Sequence, residues 1–299
     1  MNIIKFNKFY RHFGLFSVCL IILSLLFLVF KGLNYGVDFK GGTLIEVRLG
    51  SSDNSVSKVR DVFNNSNLPN LSVKNFGNNK DYIIKFQKQN LDDPNFINDL
   101  KNEVSNSLPN INFRRVENVG PKVSSELLKS GILAISLSLA AMLFYIWIRF
   151  EWQFSVGAII ALFHDIIITL GIFSFLSLEI NLSIVAAVLT IVGYSMNDTV
   201  VIFDRVRDNL KKYKDLNIFD LTNKSINETL SRTILTSVTT LLALFSIFFV
   251  GGEILRGFSF AMILGVIFGT YSSIYIANPI LVKLNVDHFT VIKKDEDKN

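Results

Sequence analysis

Cysteine is almost missing from this chain: Cys19 is the only one in 299 residues. No intrachain disulfide can therefore staple the fold. Cys19 sits within an apolar run, where an inert packing role is expected, and Val18 before it is too large for a lipid-attachment site. No Cys/His spacing fits zinc. The phosphate-cradling G-x-x-x-x-G-K-S/T, the metal-binding H-E-x-x-H and the nucleophile-bearing G-x-S-x-G are all missing. Neither an enzyme nor a cofactor-binding protein is expected from such a chain. Charge is scarce as well. Charged residues make up 18% of the chain and hydrophobic ones 50%, with a mean hydropathy of +0.40. That is too apolar for an ordinary soluble domain and typical of a chain that crosses a membrane several times. The net charge is +5. The Lys and Arg sit beside apolar runs, which fits membrane topology better than a nucleic-acid-binding face.

What is abundant is long apolar sequence. A bilayer core of about 30 Å takes about 20 apolar residues as a helix. Six stretches are long enough: 13–30, 130–148, 152–178, 181–203, 233–252 and 257–282. Lys5, Lys8 and Arg11 precede the first, as in a signal peptide. It is long for a cleaved segment and no A-x-A-like site follows, so an uncleaved anchor is expected. Orientation follows from basic residues in short loops. Lys5, Lys8, Arg11, Arg149, the group Arg205, Arg207, Lys211, Lys212, Lys214 and Lys224, and finally Lys283, Lys293 and Lys294 fall on one side. The opposite short loops hold Glu179 alone, or Glu253 with Arg256. Both termini are then cytoplasmic and the long segment after the first span faces outward.

That segment reads as a small α/β domain. Strands are expected at 43–49, 71–76, 82–86 and 111–116 by their alternation, with Asn78-Asn79 as a turn. Asp53 can cap a helix running to Asn64, with Val56, Val59, Val62 and Phe63 on one face. Asp92 or Asp93 can cap a second, with Pro94 in its first turn and Phe96, Ile97, Leu100 and Val104 apolar. The order βαββαβ is the split-βαβ, ferredoxin-like arrangement, in which one sheet face is covered by helices and the other is free for a partner. The fold class is therefore an α-helical polytopic membrane protein with six transmembrane helices and a small ferredoxin-like α/β exported domain. Its expected parts are residues 1–31, the cytoplasmic N-terminus and first span; 32–125, the exported domain; 126–285, the other five spans; and 286–299, a charged cytoplasmic tail.

Ionisable groups inside apolar spans carry the most information. Each costs about 2.5–3.5 kcal/mol to insert, so each needs a partner or a hydrated path. Asn197-Asp198 lie in the fourth span, His164-Asp165 near the middle of the third, and Arg232 at the start of the fifth. Asp198 can be read as half of a buried ion pair with Arg232 that only fixes packing, or as a carboxylate that gains and loses a proton. Apolar surroundings favour its neutral form and a nearby guanidinium its charged form. Adjacent helical residues point about 100° apart, so His164 and Asp165 are not expected to share a partner. Asp165 is expected to face the bundle. His164 is read as a packed neutral imidazole bonded to backbone or hydroxyl, or else as a proton carrier. Asp204, Arg205, Arg207 and Asp208 read as a solvated helix end. Gly265 and Gly269, with Ser259, Thr270, Ser272 and Ser273 around them, read as a close helix-packing face. Asp38, Gly41 and Gly42 read as a turn between membrane and domain, or as a contact for a partner.

Together these residues resemble the SecF family, the smaller half of the SecD/SecF pair. Val37-Asp38-Phe39-Lys40-Gly41-Gly42-Thr43 is similar to the family's signature after its first helix, and Val119-Gly120-Pro121-Lys122-Val123 to its return to the membrane. His164-Asp165 and the run from Val192 through Asn197-Asp198 to Arg205 resemble its third and fourth helices. Ser231-Arg232-Thr233-Ile234-Leu235-Thr236-Ser237 resembles the start of the fifth, and Gly269-Thr270-Tyr271-Ser272-Ser273-Ile274-Tyr275-Ile276-Ala277 the sixth. The resemblance runs in order over nearly the whole chain. It implies an RND-like half bundle from the resistance-nodulation-division superfamily, in the bacterial inner membrane with residues 32–125 periplasmic. It implies a heterodimer with SecD that works with SecYEG and SecA, and with YajC and YidC, on unfolded preprotein. The proton gradient would drive that late export step, with no other cofactor and no nucleic acid. Asp198 and Arg232 fall on positions the family assigns to proton transport, with Asn197 and Asp165 beside them. Two other readings stay open: a non-titrating scaffold that holds SecD, and half of a lipid or drug transporter of the same superfamily.

Overall fold

The computed structural model describes residues 4–50, 56–66, 68–75, 80–87, 95–108 and 110–291. The expected caps at Asp53, Asp92 and Asp93, Pro94, the Asn78-Asn79 turn, Phe76 at a strand end and the tail from Lys293 lie outside the described residues. The chain divides into two units, residues 35–132 and residues 1–34 with 133–299.

In the smaller unit, period-two alternation produces four strands: β2 Gly42–Leu49, β3 Ser72–Asn75, β4 Asp81–Phe86 and β5 Ile111–Val119. A two-residue β1, Asn34–Tyr35, where the two units divide, and the four-residue helix α2, Val37–Lys40, precede them. The sheet order is β3-β4-β2-β5 and every neighbour is antiparallel. This is the split-βαβ order. The first strand sits centrally because the helices α3 Val56–Asn64 and α4 Phe96–Ser107 each carry the chain across the sheet. One face buries Ile45, Val47, Leu49, Tyr82, Ile84 and Phe86 under Val59 and Phe63 of α3 and Leu100 and Val104 of α4. β5 runs three residues past the expected end, to Val119, and a bulge lets Glu46 pair with Arg115 while Val47 pairs with Phe113. The second face is not bare. Leu44 and Ile83 are buried among ion pairs of Arg48 with Asp81 and of Arg115 with Glu46 and Glu117.

The larger unit holds helices α1 Tyr10–Phe30, α6 Trp152–Phe175, α7 Leu182–Lys212, α8 Ile218–Val250, α9 Glu253–Ser272 and α10 Asn278–Lys283, with a two-residue β6 at Glu179–Ile180. The division between units falls inside α5, Pro121–Arg149. Six spans among the described residues are long and apolar enough to cross a membrane. The third, fourth and sixth bury half or more of their apolar window inside the chain, while the other three bury less than a fifth. The polar residues of the inner spans thus meet one another, and the outer spans present apolar side chains outward.

Three helices outrun their apolar stretches, among them α5, which begins at Pro121. α7 continues to Lys212, and α8 begins at Ile218, where Asn217 accepts the Asp220 amide at 2.9 Å. The α8 extension buries Leu221, Thr222, Ser225 and Ile226. A one-turn 3-10 helix, Phe6–Phe9, docks there: Asn227 bonds both the Ile4 amide (2.9 Å) and its carbonyl (2.8 Å). The sixth span widens into a π-turn over Ser273–Ala277 before α10. Pro279 lacks the amide that would bond Tyr275 O. The buried Asn278 side chain instead donates to Ser273 O at 2.7 Å.

Candidate functional site

Close helix approach builds the site. A methyl group on Gly265 would run into Ile191, and one on Gly269 would lie 3.0 Å from Ser195 Cβ. The glycines therefore bring α9 against α7, as their spacing predicts, and set hydroxyls of the sixth span beside the acids of α6 and α7.

Asp198 is 3% exposed on α7. Thr270 Oγ1 donates to its Oδ2 at 3.3 Å, and Thr270 Oγ1 lies 2.8 Å from Ser237 Oγ on α8. Thr270 has one proton and gives it to the carboxylate, so Ser237 is the donor in the second contact. A hydroxyl relay thus ties Asp198 to α8. Arg232, also on α8, is exposed and forms neither a hydrogen bond nor an ion pair with Asp198; its charge reaches the carboxylate only through space. The buried ion pair of the packing reading is not formed. Asn197 is exposed and makes no side-chain hydrogen bond among the described residues, so the fold does not bring it to Asp198.

Asp165 occupies the better-built position. It is 0% exposed. Its Oδ2 accepts from Ser195 Oγ at 2.5 Å and from Ser272 Oγ at 2.8 Å, and its Oδ1 lies 2.9 Å from His164 Nδ1. The two adjacent residues of α6 contact each other, the imidazole lying against its neighbour's carboxylate. His164 is not bonded to backbone or hydroxyl. Its ring stacks on Tyr271 at 5.8 Å, and its Nε2 is buried without a hydrogen-bond partner among the described residues. Ser195 precedes Asp198 by one turn of α7, and Thr270 and Ser272 share the sixth span, so that span gives a hydroxyl to each carboxylate.

Composition pointed to the glycines and the serines around them, but as packing. The signal that they also serve the acids was the presence of hydroxyls in apolar spans that hold carboxylates. A second buried pair escaped notice: Glu151, just before α6, lies 3.2 Å from Arg207 Nε, both nearly inaccessible. Arg207 is thus not part of a solvated helix end. Its neighbours are engaged too, Asp204 with Arg149 at 2.9 Å and Arg205 with Glu228 at 2.7 Å. Cys19, expected to pack inside, is exposed on α1. In the smaller unit, Asp38 lies in α2, and Gly41 and Gly42 take φ of +77° and +134°. A side chain on Gly42 would come within 2.7 Å of Phe86 O, so glycine is required there for both reasons.

Comparison with known proteins agrees with this architecture. The family model "Protein export membrane protein SecD/SecF, C-terminal" matches residues 99–287, and "SecD/SecF GG Motif" matches residues 26–53. The "Protein translocase subunit SecF" of Rickettsia bellii is 46% identical over 268 residues, 89% of this chain and 88% of that protein. The same subunit of Cereibacter sphaeroides is 43% identical over 281 residues, 91% of this chain and 86% of the other. Among solved structures, SecDF from Thermus thermophilus, described as a translocon-associated membrane protein, is 34% identical with a TM-score of 0.85. It covers 94% of this chain, which spans only 38% of that longer one. SecDF in a super-membrane-facing form is 31% identical with a TM-score of 0.70; it covers 100% of this chain, which spans 40% of that one. With these relatives and six apolar spans, the chain is an inner-membrane protein and belongs to the SecD/SecF family, within its SecF branch.

Proposed function

We propose that this chain is a non-enzymatic, proton-coupled subunit of the Sec protein-export machinery. It pairs with SecD and assists late steps of preprotein translocation at SecYEG and SecA, with YajC and YidC as further partners. Both termini face the cytoplasm and residues 32–125 face the periplasm, in keeping with the basic residues at the ends of the spans. The observation that carries the reading is Asp198. It is a buried carboxylate held by one hydroxyl, with a guanidinium within electrostatic reach but not bound. A carboxylate so placed has two low-energy arrangements. In one it is bonded to Thr270, as here. In the other it is charged and paired with Arg232 after a shift of α8. Protonation favours the first by removing the charge that Arg232 attracts. One proton crossing the membrane carries about 2.3 kcal/mol per 100 mV, enough to bias two such states.

The test is Asp198→Asn in cells or inverted membrane vesicles. Gradient-stimulated export is expected to be lost, with the variant still assembling and co-purifying with SecD. Export at the normal rate would defeat the proton-coupled reading. Loss of export together with loss of SecD would instead support a scaffold.

A further inference from the structure

We propose that His164 and Asp165 form a second proton-exchanging site, a paired imidazole and carboxylate that changes tautomer as it titrates and so releases the sixth span from α6. The inference rests on the reading of the chain as proton-coupled and adds a site to it. Three observations carry it. Both side chains are buried, at 1% and 0% exposure, and face each other at 2.9 Å. Asp165 Oδ2 already accepts two hydroxyls, so Oδ1 is left to His164. His164 Nε2 has no hydrogen-bond partner among the described residues. A buried polar nitrogen left unbonded is costly, and a role in proton transfer accounts for it.

With Asp165 charged, the imidazole donates from Nδ1 to Oδ1, and Nε2 carries the free lone pair. A proton arriving at Nε2 lets the Nδ1 proton move to Oδ1. The products are a neutral imidazole protonated on Nε2 and a neutral carboxylic acid, one proton gained by the pair and its charge changed from −1 to 0. Charge-assisted hydrogen bonds are roughly twice as strong as neutral ones, so neutralisation weakens the hold on Ser195 and Ser272. Ser272 has another acceptor ready, Gly269 O at 3.2 Å. Turning to it frees the sixth span from α6, one residue before the π-turn that begins at Ser273. The ionisable neighbours are few. The sixth span brings Tyr271, stacked on the imidazole, and Tyr275 beyond it. α7 brings Asp198, one turn past Ser195. α1 reaches the cluster through Ser17, bonded to the Tyr271 phenol at 2.7 Å. No Lys or Arg pairs with Asp165 or His164 among the described residues.

The full-length chain carrying His12→Gln and His288→Gln leaves His164 as the sole imidazole, labelled with 15N and read by NMR in detergent. As pH falls, its proton is expected to move from Nδ1 to Nε2. In Asp165→Asn it should stay on Nδ1, because an amide oxygen cannot take it. One tautomer throughout in the native pair, or an identical switch in Asp165→Asn, would overturn the proposal. In vesicles, His164→Gln is expected to shift the pH profile of gradient-stimulated export; an unmoved profile counts against the pair. Should Asp198→Asn leave export untouched, the proton-coupled reading fails by itself, and the tautomer measurement still decides the site.

Discussion

Asp198 and Asp165 show how little the identity of a buried acid says about its state. Both sit in apolar spans, yet one accepts a single hydroxyl and the other two hydroxyls and an imidazole. The difference comes from residues on other helices. The same holds for Glu151, whose buried partner Arg207 lies 56 positions along the chain. Removing one member of a buried ion pair leaves an uncompensated charge, at about 3–5 kcal/mol. Glu151→Ala should therefore lower the unfolding temperature of the purified chain sharply, and adding Arg207→Met should recover much of it. Equal loss in both variants would mean that the pair is not what stabilises that end of α7. Overpacking acts at the same scale. Gly265→Leu forces a branched side chain against Ile191 and should destabilise the chain by about 1–3 kcal/mol. An unchanged thermal melt would show slack between α7 and α9.

At the scale of elements, the ends of the helices decide more than their apolar middles. α8 starts 15 residues before the apolar run at Thr233 because its early turns bury Leu221, Ser225 and Ile226 and hold the N-terminal 3-10 helix. Asn227→Ala should release that segment, seen as faster proteolytic removal of the first residues with the bundle still folded. The π-turn is a second case. Pro279→Ala supplies the missing amide, and the turn should relax toward a regular α-helix, with stronger exchange protection of amides 273–277. Unaltered protection would show that Asn278, not Pro279, maintains the widening.

At the scale of the molecule, the two units answer to different physics. The smaller one has an aqueous surface and an ordinary mixed core, so its charges titrate. The Arg48 guanidinium, bonded to Asp81 at 2.6 Å, holds that carboxyl below the usual carboxylate range. A group with a lowered folded value contributes stability above its unfolded value of about 4 and loses it as pH falls through the folded one. Exchange protection of β2 and β4 should accordingly fall below about pH 4, and Arg48→Ala should remove most of that acid sensitivity. The half-exposed Arg48 keeps the effect modest. The larger unit keeps Asp165 and Asp198 away from bulk water, and hydroxyl donors from neighbouring helices stand in for solvent.

Six apolar spans, the βαββαβ order, the glycine face of the sixth span and the acids within the third and fourth spans were all legible in the amino-acid order, since each follows from local periodicity or from residues a few positions apart. Which partner each acid meets was not. Asp165 meets Ser272, 107 positions away, and Asp198 meets Thr270, 72 away. Such pairings depend on how closely two helices approach and on how each is rotated, which Gly265 and Gly269 permit but do not specify. Helix length beyond the apolar stretch escaped for a like reason. The turns from Ile218 to Ser231 are held by burial against the N-terminal segment and α7, and no window of hydropathy contains those neighbours.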